Sequence, residues 1–332
     1  MGGQLRHHLH TSVPTLRRYF MTPPLIDAHC HLHDERLWSI ISPLSRRNFD
    51  GVLSRARNAH VSHVVSCATH EQDWRALERL IEQEQHDSSL TIVPAFGFHP
   101  WWAGELSLED SEGLEPLKDT LARHPGASVG EIGLCKSARG RQVPIEVQVA
   151  VFQAQLALAA ELGRTCVLHC VGYYGKLLEI LLAVGRRGSQ LPPALVFHSY
   201  SGPPDMMRSF LALPGAKVFF SLNAKQLTDP QMKKAVTCCK ELPLEALLLE
   251  TDAPDQAPSV ESTEKVFDAE VQQIVGTPML LQKDSAGINE PALMKLALES
   301  AAKIREVTTD ELAVAVYQNC KEAFGLDGFT PN

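Results

Sequence analysis

Short runs of consecutive apolar residues alternate along this chain with longer stretches in which apolar residues recur at helical spacing. Most of the short runs are continuously apolar rather than alternating, which is typical of parallel strands buried on both faces. The pattern predicts eight strands, at 25–29, 63–67, 91–96, 127–131, 165–169, 194–198, 217–221 and 246–250.

The stretches between these strands predict helices. The clearest is 144–162, where Pro144 suits the first turn and Gly163 ends the helical repeat. Similar spacing predicts helices at 73–86, 173–185, 291–305 and 308–323.

Eight strand–helix units without a break favour an α/β fold of the closed (β/α)8 type, a TIM barrel, over an open sheet. A Rossmann-like sheet normally carries a glycine-rich turn after its first strand, whereas Cys-His-Leu-His follows here. Residues 253–289 predict an extended loop between strand eight and its helix. We therefore expect one domain over 25–325, preceded by a flexible tail, 1–24.

Histidines and carboxylates occupy the last positions of the predicted strands. In a barrel these ends share one face, so residues far apart in sequence would meet there. His29 and His31 lie two apart on an extended strand and therefore project to the same side. The expected metal ligands are His29, His31, Glu131, His169, His198 and Asp252, with His99 nearby.

Six such ligands exceed what one ion with an open position needs. They suit two divalent ions bridged by one carboxylate, and Glu131 is the expected bridge. Imidazole and carboxylate together fit Zn²⁺ or Mn²⁺, and the carboxylates allow Mg²⁺.

Composition limits the partners and the compartment. A formal net charge of −8 excludes a generally basic nucleic-acid-binding surface, so a polyanion would need metal or local positive charge. The eight cysteines form no CxxC pair, and no apolar run is long enough to span a bilayer. We expect an intracellular protein, cytoplasmic or nuclear, without a membrane or an obligate protein partner.

The tail 1–24 contains arginines, Ser and Thr but no acidic residue, which is similar to a mitochondrial or plastid transit peptide. The alternative is a disordered tail, with Met21 serving as a second start codon.

Several motifs resemble those of the TatD family of metal-dependent deoxyribonucleases, in order and over nearly the whole chain. They are Leu-Ile-Asp-Ala-His-Cys-His-Leu at 25–32, Gly-Phe-His-Pro at 97–100, Gly-Glu-Ile-Gly-Leu at 130–134, Val-Leu-His-Cys at 167–170, Phe-His-Ser-Tyr-Ser-Gly at 197–202, Leu-Glu-Thr-Asp-Ala-Pro at 249–254 and Asn-Glu-Pro at 289–291.

The resemblance implies exonuclease or phosphatase-like hydrolysis of DNA, with single-stranded DNA or 3′ ends as the expected substrate. It implies one ion held by His29, His31, Glu131 and Asp252, and a second held by Glu131, His169 and His198. His99 would lie behind the ligands or touch phosphate. Two such ions would activate a shared water, and Asp252 would accept its proton, so Asp252 and Glu131 are the expected catalytic residues.

Two positions depart from the family pattern: Cys135 stands where Asp is usual, and Cys170 stands where Arg is frequent. Neither is an expected ligand. The basic loop after strand four, with Lys136, Arg139 and Arg141, is expected to bind flanking phosphates, unless it is an ordinary solvated loop.

Two other functions stay open on the sequence. An amidohydrolase-type enzyme acting on a small lactone, cyclic amide or phosphoester would use the same barrel, although many such enzymes bridge their metals with a modified lysine on strand four. A catalytically silent scaffold is the third reading, which the intact ligand set disfavours.

Overall fold

The computed structural model describes residues 22–37, 43–84, 89–106, 113–186, 190–283 and 287–326. Most of the predicted tail 1–24 therefore lies outside the described residues. Within them, eight parallel strands form one sheet in sequential order: β1 (Leu25–Cys30), β2 (Val61–Ala68), β3 (Thr91–Phe96), β4 (Ser128–Cys135), β5 (Cys166–Val171), β6 (Ala194–Phe197), β7 (Lys217–Asn223) and β8 (Leu247–Glu250).

The first and last strands lie side by side and close the barrel. Two backbone hydrogen bonds join the chain segments at their carboxyl ends: the Asp252 amide donates to the His29 carbonyl at 2.9 Å, and the His31 amide donates to the Ala253 carbonyl at 2.7 Å. The predicted (β/α)8 barrel is confirmed, and its closure brings two ligand-bearing segments into direct contact.

Helices follow the strands along the chain. They are α1 (Pro43–Asn58), α2 (Glu71–Glu84), α3 (Glu115–Arg123), α4 (Ile145–Glu161), α5 (Tyr174–Arg186), α6 (Pro204–Leu211), α7 (Ala224–Thr228), α8 (Lys233–Glu241), α9 (Val260–Val266), α10 (Ala269–Val275), α11 (Met294–Arg305) and α12 (Thr309–Phe324). The five predicted helices are confirmed within about two or three residues at each end.

Apolar packing forms two clusters. The larger one joins the strands to the surrounding helices. The smaller one joins strand residues such as Val65 and Phe219 to Phe324 and Leu326 at the end of α12. Thr165, which precedes β5, donates to the Ala323 carbonyl at 2.6 Å. The end of α12 therefore closes the amino-terminal end of the barrel, and the opposite end is left to the polar strand ends.

The predicted end of strand four was wrong. Strand four does not end at Glu131 but continues to Cys135, with an irregular register between Val129 and Ile132 that redirects the side chains there. The extended segment after β8 contains α9 and α10, and α10 packs against α1. Helices this short give too little periodic signal for a sequence pattern to detect.

Candidate metal centre

The six expected ligands meet at the carboxyl end of the barrel. His29 lies in β1, Glu131 in β4 and His169 in β5, while His31, His198 and Asp252 follow directly after β1, β6 and β8. His29, Glu131, His198 and Asp252 are buried, whereas His31 and His169 are partly exposed.

Four donor atoms form the first grouping. His29 Nε2 and His31 Nε2 lie 3.4 Å apart. Asp252 Oδ1 is 3.5 and 3.6 Å from these nitrogens, and Glu131 Oε2 is 3.6 and 3.7 Å from them. Two donors bound to one tetrahedral ion at about 2.1 Å are themselves about 3.4 Å apart. The spacing of these atoms therefore fits a single divalent ion.

The second oxygen of Glu131 faces a different pair of imidazoles. Glu131 Oε1 is 2.7 Å from His169 Nδ1 and 2.8 Å from His198 Nε2. These two nitrogens are 3.3 Å apart. Glu131 thus presents one oxygen to each of two adjacent groups of donors.

His31 shows the support that is usual for a metal ligand. Its Nδ1 donates to the carbonyl of Cys67 at 2.7 Å, while its Nε2 faces the other donors. A backbone carbonyl behind a ligating imidazole fixes both its ring orientation and its tautomer.

Charges within the site compensate each other. Burial opposes ionisation of Glu131, but the neighbouring imidazoles, His198 foremost, hold its pKa well below its usual range. Burial also opposes protonation of His31, yet the hydrogen bond to Asp252 and the charge of Glu131 raise its pKa to about 10. Burial and the charge of His198 keep the pKa of His29 well below its ordinary value.

Cys135 takes a place beside His169. Trp101 Nε1 donates to its Sγ at 3.3 Å, and Ser137 Oγ lies 3.0 Å away. Burial raises the pKa of the Cys135 thiol, but the neighbouring His169 lowers it to about 7. Burial also opposes protonation of His169, yet the nearby thiol and the hydrogen bond to Glu131 raise the pKa of this imidazole to about 10.

His99 is fully enclosed behind the second group of donors. Its Nε2 is 3.4 Å from Glu131 Oε1, and its Nδ1 accepts the backbone amide of Trp101 at 3.1 Å. Burial and the charge of His169 lower the pKa of His99 to about 3, so the neutral ring carries its proton on Nε2. This nitrogen is a hydrogen-bond donor that points into the site.

Hydrogen bonds with two buried side chains, Asp27 and Asn289, fix the loop that carries Asp252. Asp27 accepts the Thr251 amide at 2.9 Å and its hydroxyl at 2.5 Å, while Asn289 Nδ2 donates to the Thr251 carbonyl at 2.7 Å. Asp252 has a φ of 59°, a left-handed conformation that Asp tolerates better than most residues. Sequence reasoning assigned no supporting role to Asp27, Thr251 or Asn289.

Two further residues were missed or misplaced. Glu250 forms another donor group with His198 and Asp252, and it is fully buried against Ser221. His33 is 5% exposed and lies 3.4 Å from Ser66 Oγ, a burial that the sequence pattern did not predict. The sequence near His33 and Glu250 does not predict these contacts, because Ser66 and Ser221 lie on other strands, far away along the chain.

The three basic side chains of the loop after β4 have different surroundings. Lys136 is exposed, with its Nζ 5.6 Å from the centre of the Tyr173 ring. Arg141 is also exposed, but its Nη1 donates to the carbonyl of Lys136 at 2.9 Å. Arg139 lies over the rings of Trp101 and Trp102, at 4.3 and 4.8 Å.

The eight cysteines are all free and buried, and none of the helices among the described residues is long and apolar enough to cross a bilayer. Cys170 is among the buried ones, so this position adds no cation for a phosphate.

Comparison with known proteins places the chain in one family. The protein-family model described as "TatD related DNase" matches residues 26–325 of this chain. The chain is 25% identical over 304 residues to the uncharacterized metal-dependent hydrolase YabD of Bacillus subtilis, covering 91% of this chain and 100% of YabD. It is 28% identical over 282 residues to the 3′-5′ ssDNA/RNA exonuclease TatD of Klebsiella pneumoniae, covering 85% of this chain and 93% of that protein.

The fold is shared with a solved relative. The crystal structure of YjjV, a TatD homologue from Escherichia coli, matches with a TM-score of 0.68 and 24% identity over 91% of this chain and 98% of that chain. Because the family model spans most of the sequence, this chain belongs to the family of TatD related DNases.

Proposed function

We propose that this chain is a nuclease that hydrolyses phosphodiester bonds at the ends of single-stranded DNA, using two divalent ions. The observation that carries the proposal is the placement of Glu131, whose two oxygens face separate groups of imidazoles. The name of the Klebsiella relative, an exonuclease on single-stranded DNA and RNA, supports the substrate class.

The proposed ligand sets follow the two groups of donors. His29, His31 and Asp252 would hold one ion, His169 and His198 the other, and Glu131 would contribute to both. Mg²⁺, Mn²⁺ and Zn²⁺ all suit this mixture of nitrogen and oxygen donors. When bound, such ions supply Lewis acidity and lower the pKa of a coordinated water.

The protein's own groups then manage protons and charge. Asp252 would accept the proton of the attacking water, a role supported by its position among the donors of the first group. His99 Nε2–H would donate to a phosphate oxygen, and Lys136, Arg139 and Arg141 are the candidate contacts for neighbouring phosphates. Local cations are needed here since the protein as a whole carries a net charge of −8.

We also propose an intracellular location, cytoplasmic or nuclear, with an organellar form directed by residues 1–24. Fusing these residues to a fluorescent reporter tests the second half of this idea. A fusion that stays diffuse in the cytosol contradicts it.

The direct test is hydrolysis of end-labelled single-stranded oligonucleotides with Mg²⁺, Mn²⁺ or Zn²⁺. The protein should shorten the oligonucleotide stepwise, and Asp252→Asn should not. The matched control is Asp255→Asn, which removes an exposed carboxylate that binds Arg36 outside the centre. Equal hydrolysis by Asp252→Asn and the natural sequence would refute the assigned role.

The amidohydrolase alternative is disfavoured by β4, which contains Glu131 and no lysine. Preferred turnover of a panel of small lactones, amides and phosphoesters over oligonucleotides would favour it instead. A silent scaffold would bind no divalent ion, which metal analysis of the purified protein detects.

A further inference from the structure

Four side chains form a layered group beside the metal centre, which we call the tryptophan–arginine stack: His70, Trp101, Trp102 and Arg139. The Arg139 guanidinium lies 4.3 Å from the centre of the Trp101 ring and 4.8 Å from that of Trp102. His70 stacks on Trp102 with ring centres 4.2 Å apart and an interplanar angle of 15°. A guanidinium over indole rings is held by cation–π attraction, which restricts its motion.

The two indoles are themselves fixed. The backbone amide of Trp102 donates to the His99 carbonyl at 2.8 Å, and that of Trp101 donates to His99 Nδ1 at 3.1 Å. The Trp101 indole nitrogen donates to Cys135 Sγ at 3.3 Å. The two indoles on which Arg139 rests are therefore held in place by hydrogen bonds to His99 and Cys135.

Arg139 is exposed, and among the described residues no carboxylate forms an ion pair with it. Arg36, another exposed arginine near the mouth, differs because Asp34 and Asp255 each accept two of its hydrogen bonds. Arg141 lies in the same loop as Arg139, but its guanidinium donates a hydrogen bond to the backbone carbonyl of Lys136. Arg139 thus combines a fixed position with a full set of unused donors.

One indole separates this cation from the centre. The rings of Trp101 and His99 lie 4.3 Å apart, and those of Trp101 and His169 lie 6.2 Å apart. His99 in turn reaches to 3.4 Å from Glu131. An anion bound by Arg139 would therefore lie beside the metal centre, separated from it by the Trp101 ring.

We propose that Arg139 binds the phosphate adjacent to the scissile phosphodiester, and that Trp101 and Trp102 hold its guanidinium in place for this purpose. The proposal rests on the proposed nuclease function. It distinguishes Arg139 from Lys136 and Arg141, which the sequence places together in one basic loop.

The chemistry fits this assignment. A planar guanidinium presents paired donors that match two phosphate oxygens, which a lysine ammonium cannot do. Because the indoles already restrict Arg139, less conformational entropy is lost when phosphate binds. The subsite therefore favours substrates with at least two consecutive phosphates over isolated phosphodiesters.

The test compares two substrates: a single-stranded oligonucleotide, and the nitrophenyl ester of thymidine monophosphate, which has no second phosphate. Arg139→Ala should raise KM for the oligonucleotide about tenfold, as expected for a lost charged hydrogen-bonding pair, and leave hydrolysis of the ester within about twofold. Arg139→Lys should recover only part of the loss, because it restores charge without the planar donor pair. Lys217→Ala is the control: it removes an exposed cation at the amino-terminal end of β7, on the opposite face of the barrel, and should change hydrolysis of neither substrate.

A binding measurement separates affinity from turnover. A fluorescent phosphorothioate oligonucleotide, which resists cleavage, should bind Arg139→Ala about tenfold more weakly than the natural sequence. The slope of log K against log salt should fall by about 0.7, the value for one phosphate contact on a single strand. Trp102→Leu should weaken binding in the same direction with Arg139 still present.

The outcomes are distinguishable. If the natural protein cleaves oligonucleotides but Arg139→Ala binds and cleaves them equally well, the subsite is wrong and the nuclease assignment stands. If the natural protein cleaves the ester but no oligonucleotide, the nuclease assignment fails and the subsite fails with it.

Discussion

Gly133 lies directly against the backbone of His169 in the neighbouring strand. A Cβ built on Gly133 would come within 1.9 Å of the His169 carbonyl oxygen, and the glycine has a φ of +145°, which other residues rarely adopt. The last glycine of the Gly-Glu-Ile-Gly-Leu motif therefore allows β4 to pass close to a ligand-bearing strand. Its role is steric, unlike that of Glu131 in the same motif.

Gly133→Ala should consequently destabilise the protein by about 4 kcal/mol or more, because the new methyl group must displace backbone. Urea unfolding followed by fluorescence measures this change. Gly163→Ala is the control: Gly163 has a φ of +62° with nothing near its Cβ position, so the cost should be about 1 kcal/mol. Equal losses in the two variants would show that backbone conformation alone accounts for Gly133.

Glu131→Gln should reduce the number of divalent ions bound per chain, since a neutral amide bridges cations poorly. Activity should fall by about a thousandfold or more, because Lewis-acid catalysis contributes several kcal/mol. Metal analysis after gel filtration and oligonucleotide assays measure the two effects. Glu115→Gln, an exposed residue paired with Lys118, serves as the control. Undiminished metal content in Glu131→Gln would argue against a bridging role.

Divalent ions should bind with release of protons. His31 and His169 each have a pKa of about 10 without a cation, so both are protonated at pH 7 and must lose that proton to bind an ion. Affinity should therefore rise with pH up to about pH 10 and fall as the solution is acidified. Calorimetry in buffers of different ionisation enthalpy should detect about two protons released per chain. Buffer-independent heats would contradict this expectation.

A buried ion pair fastens the Asn-Glu-Pro motif to α1. Arg55 Nε and Nη2 donate to the two oxygens of Glu290 at 2.7 and 2.6 Å, and Glu290 is fully buried. Burial raises the pKa of Glu290 even though Arg55 opposes the shift. Arg55→Met should destabilise the fold by about 3–5 kcal/mol, because an unpaired carboxylate stays buried.

The double variant Arg55→Met with Glu290→Gln is the informative comparison. It should lose less stability than Arg55→Met alone, since no buried charge is left without a partner. Chemical denaturation of the two variants measures the difference. If both lose equal stability, the cost in Arg55→Met arises from lost packing and not from the isolated charge.

Much of the fold and most of the centre followed from local pattern. Continuous apolar runs located the strands to within a few residues, because burial on both faces leaves no polar positions inside them. His29, Glu131, His169 and Asp252 could be grouped because barrel topology puts all carboxyl ends of the strands at one face. Prediction from the local pattern failed for the position of Glu131 in its strand, because Glu131 lies within an irregular part of β4 rather than at its end.

By itself, the sequence determined the eight strands, the longer helices, their order, and which chemically active residues share a face, since these depend on the spacing of residue types along the chain. Only the tertiary structure decided that the two oxygens of Glu131 face different imidazoles, that His33 and Glu250 are buried, and that Arg139, unlike Arg141, rests on two tryptophans. These relationships depend on side-chain direction and on contacts between distant strands and loops. A local pattern cannot encode them, because they arise only when the packed barrel brings those segments together.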